Sequence, residues 1–433
     1  MRNRSTMSVV VTKSSPVVVV GASETPTGGI IGLSTFDMCS APAPTTLILV
    51  FEQPIDDPIG TIKKALSQAL VHYYPLAGRL AGADELEPTH IVCTGEGVLF
   101  VGASASCALD DAVPLHLVDL SVRYPAKYCR LGDPLLLMQV TRFTCGGFLV
   151  GVTWNHVMAD GVGMAQFLQA LGELARGMPI PSIVPVRSED DSSLPRLPQP
   201  MVAEVRSYMR IHKEEFLPLL DVSIPTSLVS RIKAKCGAGN CTVYDAIAAV
   251  IWRCRTRAVI TDDGDPNTLM LLVIPRNMRD LVRAKKGYYG NCIIFQLALA
   301  TRDTVATGDI KDLVKLIRLA KETMPDMLGN AGDSRDEQQA PPKRYNTLTI
   351  SNSMKLGHET VDFGGGMPSR MMWTNEHPPG MACVVCSPCK GKDNIDVMSL
   401  CVRPEHADAF LREVAALTME LSRDCQPSPK ARL

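Results

Sequence analysis

The chain has 433 residues, of which 46% are hydrophobic and 21% charged. This size and composition exclude a single small domain and widespread disorder, and they predict a folded protein of two or three domains. The 44 lysine and arginine residues nearly balance the 45 aspartate and glutamate residues, so no overall field attracts nucleic acid and an anionic ligand would need a local basic patch.

The first half of the chain predicts alternating strands and helices. Residues 45–51 form an apolar run with strand character, and residues 59–70 carry apolar side chains at helical spacing. The helix should end before Pro75. Two strands are expected at 135–140 and 148–154, joined by a Cys-Gly-Gly turn as a hairpin.

The second of these strands leads into the segment WNHVMADGVG, so His156 and Asp160 should lie on a turn between strand and helix. The helix should begin after Gly161 and end near Gly177. Residues 178–200 then change to proline, serine and acidic residues, which is the best candidate for a domain boundary.

The second half predicts a helix over 242–257, capped by Thr242 and ending in three arginines that we expect to form a solvated face. Strands are expected at 269–274, 293–298 and 347–351, and a polar surface loop at 330–343. We therefore expect an α/β protein with one lobe at 1–180, a linker at 181–204 and a second lobe at 205–433.

The fourteen cysteines should mostly be reduced and buried, because they are scattered through a chain with no apparent signal peptide. Cys383, Cys386 and Cys389 are spaced like metal ligands, but no paired motif or nearby histidine completes a four-ligand set, so we expect no metal site. No run of about 18 apolar residues predicts a membrane-spanning helix, and we expect a cytoplasmic protein.

The chemistry suggested by this sequence centres on His156. A neutral imidazole can remove a proton from a hydroxyl or amine near pH 7, which acyl transfer from a thioester requires. Asp160 could orient that imidazole as in a catalytic triad, or pair with an arginine and hold the turn. Spacing alone does not decide between these roles, and an isolated HxxxDG string is weak evidence.

Six motifs in order extend the evidence over most of the chain. They are LSTFD at 33–37, HYYPLAGRL at 72–80, HVMADG at 156–161, WRCRTRA at 252–258, GYYGNC at 287–292 and DFGGG at 362–366. In these motifs and their order the chain resembles the plant BAHD acyltransferases. The resemblance implies a two-domain chloramphenicol-acetyltransferase-like fold, with mixed β-sheets, flanking helices and a channel between the domains.

The resemblance also implies a reaction and its residues. Acyl-CoA would be the co-substrate, a small-molecule alcohol or amine the acceptor, and His156 the general base, without an acyl-enzyme. Asp160 and Gly161 would support the catalytic loop, with Arg276 as the best match for the partner of Asp160. Thr45, Asn291, Trp373 and Thr374 are the candidates for the acceptor or acyl pocket.

The DFGGG motif departs from the pattern of the family. It retains Asp362, Phe363, Gly364 and Gly366, but Gly365 stands where the family has tryptophan. Since that motif is regarded as structural, we expect activity to survive. The leading hypothesis is a monomeric acyltransferase of plant specialised metabolism that transfers a hydroxycinnamoyl, benzoyl or similar group. The alternative is a non-catalytic homologue that binds a small molecule or a protein.

Overall fold

The computed structural model describes residues 10–112, 119–187, 194–209, 216–260, 264–323, 344–374, 380–389 and 391–423. The polar loop expected at 330–343 lies outside these residues.

Sixteen strands are present in the described parts of the chain. In chain order they are β1 (Val11–Lys13), β2 (Val17–Val19), β3 (Ile30–Gly32), β4 (Pro44–Phe51), β5 (Arg79–Ala81), β6 (His90–Val92), β7 (Val98–Ala105), β8 (Leu136–Arg142), β9 (Phe148–Asn155), β10 (Leu220–Pro225), β11 (Leu269–Asn277), β12 (Ile293–Thr301), β13 (Thr347–Asn352), β14 (Arg370–Thr374), β15 (Met381–Val385) and β16 (Asn394–Leu400).

Ten α-helices accompany these strands in the described residues. They are α1 (Thr35–Met38), α2 (Pro58–His72), α3 (Leu109–Ala112), α4 (Gly161–Ala175), α5 (Gln199–Met209), α6 (Thr226–Cys236), α7 (Val243–Ala258), α8 (Arg302–Thr307), α9 (Ile310–Glu322) and α10 (Pro404–Arg423). Single turns of 3-10 helix lie at Tyr74–Ala77, Arg344–Asn346 and His358–Thr360.

The chain divides into two units that are not contiguous in sequence. The first unit comprises Met1–Arg210, Met278–Cys292 and Lys355–His377, and the second comprises the remaining segments, Ile211–Asn277, Ile293–Met354 and Pro378–Leu433. The sequence-based division into lobes at 1–180 and 205–433 is therefore corrected, because two segments of the second half belong to the first unit. One of them carries β14, which pairs with β4, and the other carries Arg279 and Asn291, which bond to Asp160 and Asp37. A local change of composition does not show such contacts.

The first unit is built on a mixed seven-stranded sheet. Its order is β1-β7-β8-β9-β4-β14, with β2 also paired to β7. Strands β7 and β8 are parallel, whereas β4 runs antiparallel to both β9 and β14. The expected hairpin is confirmed, since β8 and β9 pair from Arg142 and Phe148 across a turn in which Gly146 has a positive φ of 86°.

The second unit has a mixed six-stranded sheet in the order β10-β16-β15-β13-β11-β12. Helix α7 packs against α9 and α10 and is buried on nearly all sides. Thr242 caps it as expected and forms a capping box with Asp245.

The arginines at the end of α7 are not the solvated face that the sequence suggested. The side chains of Arg253 and Arg255 are buried, with Arg255 fully covered. Their Nε atoms donate to main-chain carbonyls, that of Arg253 to Val305 at 3.2 Å and that of Arg255 to Cys401 at 2.7 Å. Buried guanidinium groups need such acceptors, so these arginines connect α7 to neighbouring segments.

No helix in the described part of the chain combines the length and the apolar character needed to cross a membrane.

A close backbone contact in the first unit leads to a prediction on stability. A methyl group placed on Gly163, in the first turn of α4, would lie 1.9 Å from the carbonyl oxygen of Tyr289. Gly163→Ala should therefore lower the free energy of unfolding by about 1–3 kcal/mol, although alanine is the better helix former. Urea denaturation measures this change. Gly132→Ala is the control, because no atom lies within 4 Å of its added methyl group; equal effects of the two changes would contradict the prediction.

Candidate active site

His156 lies in the turn that follows β9 and precedes α4, as the sequence predicted. Its main-chain nitrogen donates to Ala43 at 3.1 Å, and its carbonyl oxygen accepts from Asn291 Nδ2 at 3.0 Å. These two bonds hold the main chain of His156 and do not involve its imidazole. The residue is half-buried, so its side chain is neither sealed in the core nor fully solvated.

Asn291 fastens the His156 turn to the LSTFD motif. Its Nδ2 donates to the carbonyl oxygens of His156 and Val157 and to Asp37 Oδ1, each at 3.0 Å, and its main-chain nitrogen donates to the same carboxylate oxygen at 2.9 Å. Asn291 is fully buried and its amide donors are used within the protein. The expectation that Asn291 lines the acceptor or acyl pocket is thus wrong, and its role in this structure is to hold the turn.

A buried ion pair completes this connection. Arg187 Nη2 lies 3.2 Å from Asp37 Oδ2, and Arg187 Nη1 donates to the carbonyl oxygen of Met158. Burial alone would lower the pKa of Arg187, but Asp37 and nearby tyrosines raise it above the ordinary value. The guanidinium therefore remains charged and supports the turn from its other side.

The carboxylate of Asp160 pairs with an arginine, but not with the arginine that the sequence suggested. Arg279 binds it with two hydrogen bonds, Nη1 to Oδ2 at 2.9 Å and Nη2 to Oδ1 at 2.8 Å. Oδ1 also accepts from the main-chain nitrogen of Gly163, which caps α4, and Oδ2 from that of Cys292. Arg276, the predicted partner, instead donates to the carbonyl oxygen of Lys321 in the second unit.

With these contacts, Asp160 does not act as the acid of a catalytic triad. His156 Nδ1 is buried and makes no hydrogen bond to any described residue, whereas a triad would give it a carboxylate partner. Burial lowers the pKa of His156 below its usual 6.5, against the opposing influence of Asp160. A neutral imidazole at pH 7 can accept a proton, which is the state that a general base requires.

The remaining pocket candidates lie on β4, which pairs with β9, and on β14, which pairs with β4. Thr45 is half-buried and faces Trp154 across the β4–β9 pair. Trp373 and Thr374 lie on β14, opposite Leu47 and Thr46 of β4. The Trp373 indole makes an edge contact with Trp154, with ring centroids 5.9 Å apart. Thr45, Trp373 and Thr374 are therefore brought to one region of the sheet.

His358 is a residue of this region that the sequence analysis did not single out. Its ring meets that of Trp373 edge-on, with centroids 5.3 Å apart and an angle of 89°. It is fully buried, and neither ring nitrogen makes a hydrogen bond within the described chain. It lies between the motifs in sequence, so no pattern indicated it.

The burial of His358 leads to a prediction on acid stability. Desolvation lowers its pKa to about 3, so the folded protein keeps the ring neutral while the unfolded chain protonates it below about 6.5. The unfolded state then binds more protons, and stability falls as the pH falls from about 7 towards 3. When the pH is lowered from 7 to 5, the free energy of unfolding of His358→Phe should fall by about 2 kcal/mol less than that of wild type.

Urea denaturation at the two pH values measures this difference. An identical loss in both proteins would contradict the prediction.

The DFGGG motif forms a tight loop around one carboxylate. Asp362 Oδ1 accepts from the main-chain nitrogens of Gly364 at 2.7 Å and Gly366 at 2.8 Å, and both glycines have positive φ angles. The Phe363 ring packs edge-on against Phe51 at 5.2 Å. A Cβ atom at Gly365 would lie 3.0 Å from the carbonyl oxygen of Gln53, so this loop is closed too tightly for a side chain there without some shift.

No group of three or more histidine, cysteine, aspartate or glutamate side chains in the described residues is arranged to hold a metal ion. In the part of the chain described, Cys389 Sγ instead donates to Asp396 Oδ2 at 3.1 Å.

Known proteins resemble this chain over nearly its full length. The model of the Transferase family matches residues 9–416. Acyl transferase 15 of Oryza sativa subsp. japonica is 41% identical, over 95% of this chain and 99% of its own length. A myricetin 3-O-glucosyl 1,2-rhamnoside 6'-O-caffeoyltransferase of Crocosmia x crocosmiiflora is 32% identical, over 95% of this chain and 100% of its own.

Solved structures confirm the expected fold. Vinorine Synthase aligns with a TM-score of 0.73 at 20% identity, covering 94% of this chain and 98% of its own. TRI101 of F. sporotrichioides, crystallised with coenzyme A and T-2, aligns with a TM-score of 0.67 at 17% identity, over 88% of this chain and 97% of its own. The chain therefore belongs to the Transferase family, the plant BAHD enzymes that its motifs resemble, and it is an acyltransferase.

Proposed function

We propose that this acyltransferase takes its acyl group from a coenzyme A thioester and transfers it to an alcohol or amine, with His156 as general base. The observation that carries the proposal is that the main chain of His156 is held in place while Nδ1 of its imidazole is unpaired. Asn291 and Ala43 bind its carbonyl and amide groups, while Nδ1 of its half-buried imidazole has no hydrogen-bond partner among the described residues. A base held in this way is in place before a substrate arrives.

The proposed reaction is a direct transfer. The acceptor's oxygen or nitrogen attacks the thioester carbonyl carbon as its proton passes to the imidazole of His156. The tetrahedral intermediate then expels the coenzyme A thiolate, and the imidazolium returns the proton to the sulfur. The carbon–sulfur bond breaks, an ester or amide bond forms, and no acyl-enzyme is needed.

The proposed class of acyl donor is inferred from the related proteins. The structural relative TRI101 binds coenzyme A, and one relative in sequence is named a caffeoyltransferase. We therefore propose a hydroxycinnamoyl, benzoyl or similar acyl-CoA as co-substrate, with Thr45, Trp373 and Thr374 near the acceptor. We further propose a monomer that works in the cytoplasm, in plant specialised metabolism.

A panel assay tests the proposal. Purified protein is mixed with p-coumaroyl-, caffeoyl-, benzoyl-, acetyl- and malonyl-CoA and a set of alcohols and amines, and the release of free thiol is followed together with product mass. We expect acceptor-dependent release with at least one donor. Tight calorimetric binding of the same compounds without turnover would reject catalysis in favour of a binding protein.

A further inference from the structure

Two carboxylates, those of Asp160 and Asp37, act on the charge of the His156 imidazole. Burial lowers the pKa of His156, and both carboxylates oppose this by favouring the protonated ring. Each carboxylate has a guanidinium partner, since Arg279 Nη2 lies 2.8 Å from Asp160 Oδ1 and Arg187 Nη2 lies 3.2 Å from Asp37 Oδ2. The proposed base therefore lies near two ion pairs rather than near two uncompensated negative charges.

Arg187 comes from the segment that the sequence predicted to be a linker, at 181–204. The main chain holds it in place, since the main-chain nitrogen of Val186 donates to the carbonyl oxygen of Gly287 at 2.8 Å. The side chain then reaches the turn that carries the proposed base, where Nη1 donates to the carbonyl oxygen of Met158. The predicted linker thus contributes a charged group to the site.

Four hydrogen bonds hold the carboxylate of Asp37 in addition to its arginine. Oδ2 accepts from the main-chain nitrogen of Ser34 at 3.0 Å and from its Oγ at 2.8 Å, and Oδ1 accepts from N and Nδ2 of Asn291 at 2.9 and 3.0 Å. Such donors favour the charged form of a carboxylate. The side chains of Asp37 and Arg187 are only 2% and 4% exposed, so water screens their charges weakly. Without Arg187, Asp37 would act on the base as an uncompensated negative charge.

The other titratable groups around the two ion pairs are neutral near pH 7. Burial raises the pKa values of Tyr288 and Tyr289, and it raises that of Cys292 to about 12. Burial lowers the pKa of His358 to about 3. Among the described residues around the base, the charges that remain are therefore those of the two carboxylates and their two arginines.

We propose that Arg187 is a positioning residue of the reaction, which cancels the charge of Asp37 beside the His156 turn and so keeps the imidazole in the unprotonated form that can accept a proton. This inference rests on the proposed function, because it takes His156 to be the base. If Arg187 only held the carbonyl group of Met158, its loss would slow the reaction equally at every pH. If it acts through charge, the loss is largest at low pH.

The test follows the protonation of the His156 ring directly and through the reaction rate. The ring is titrated by NMR in wild type, Arg187→Met, Arg187→Lys, Asp37→Asn and the double variant Arg187→Met with Asp37→Asn, and its signal is identified by its loss in His156→Ala. The pH dependence of kcat/KM for thiol release is recorded for the same proteins. Arg257→Met is the control, because the pair of Arg257 with Glu413, at 3.6 Å, lies in the second unit.

In Arg187→Met, the midpoint of the His156 titration and the acid limb of kcat/KM should move by about half a pH unit or more towards higher pH, since a carboxylate without its counter-charge favours the imidazolium. Below the wild-type midpoint, the loss of kcat/KM should then be about three-fold greater than on the plateau at high pH. Arg187→Lys should shift the midpoint less, because it keeps the charge. Asp37→Asn should move the midpoint towards lower pH, and the double variant should return it to that of wild type.

Two results would overturn the inference. One is an unchanged His156 midpoint in Arg187→Met, and the other is a shift that the double variant does not reverse; either would mean that Arg187 only holds the turn. If Arg187→Met does not fold, Asp37→Asn decides, and an unchanged midpoint in that variant rejects the inference. Failure of the proposed function is a separate result, because it appears as an absence of turnover with every donor while the NMR titration still applies.

Discussion

Replacing His156 by alanine should reduce acyl transfer by about 100-fold or more, since the acceptor would then lose its proton without an internal base. Nδ1 of the imidazole makes no hydrogen bond to the described residues, and the main chain of the turn is held by Asn291 and Ala43, so the fold should survive the change. The measurement is kcat/KM for free-thiol release, accompanied by thermal denaturation of both proteins.

His90→Ala provides the matched control. His90 lies on β6, in the small three-stranded sheet, and bonds to Thr89. It should keep wild-type kcat/KM. If His156→Ala retained more than about a tenth of the activity with an unchanged melting temperature, another group would have to be the base.

Arg279→Ala should lower the free energy of unfolding by about 3–5 kcal/mol, because it leaves the Asp160 carboxylate buried without its counter-charge. Asp160 is 2% exposed and its two oxygens are bound by Arg279 at 2.8 and 2.9 Å. The same carboxylate caps α4, so activity should fall together with stability. Urea denaturation and kcat/KM measure the two effects.

Arg276→Ala is the control for this change, since Arg276 is only three residues away and bonds to Lys321 instead. Arg276→Ala should lower the free energy of unfolding by about 1 kcal/mol. Arg279→Lys should be intermediate, because an ammonium group keeps the charge but does not reproduce the two parallel bonds. Equal destabilisation by Arg276→Ala and Arg279→Ala would show that the Asp160 pair is not the dominant contact.

Several local elements followed from the sequence alone because their signals are short-range. Thr242 begins α7 through its own capping box, and the apolar stripe after Gly161 forms α4. The Cys-Gly-Gly turn at 145–147 lets β8 and β9 pair directly. In each case the interacting groups are only a few residues apart, so their order in the chain contains the information.

Tertiary structure decided which distant groups meet. Asn291 bonds to Asp37 across 254 residues, and its amide belongs to the support of the His156 turn rather than to a pocket wall. The order of the motifs matched Asn291 and Asp37 to the family, but it could not show that the two residues are in contact. Spacing in the sequence could not decide whether Arg276 or Arg279 pairs with Asp160. Strand β11 ends at Asn277, and the chain then enters the first unit, so the two arginines lie in different units.

The sequence by itself therefore determined the family, the order of the main elements and the position of His156 on a strand-to-helix turn. The three-dimensional packing alone decided that Asp160 pairs with Arg279, that Arg255 is fully buried, and that His358 lies against Trp373. The physical reason is that hydrogen bonds and burial depend on distances in space between segments that are far apart in the chain, and residue order alone does not fix those distances.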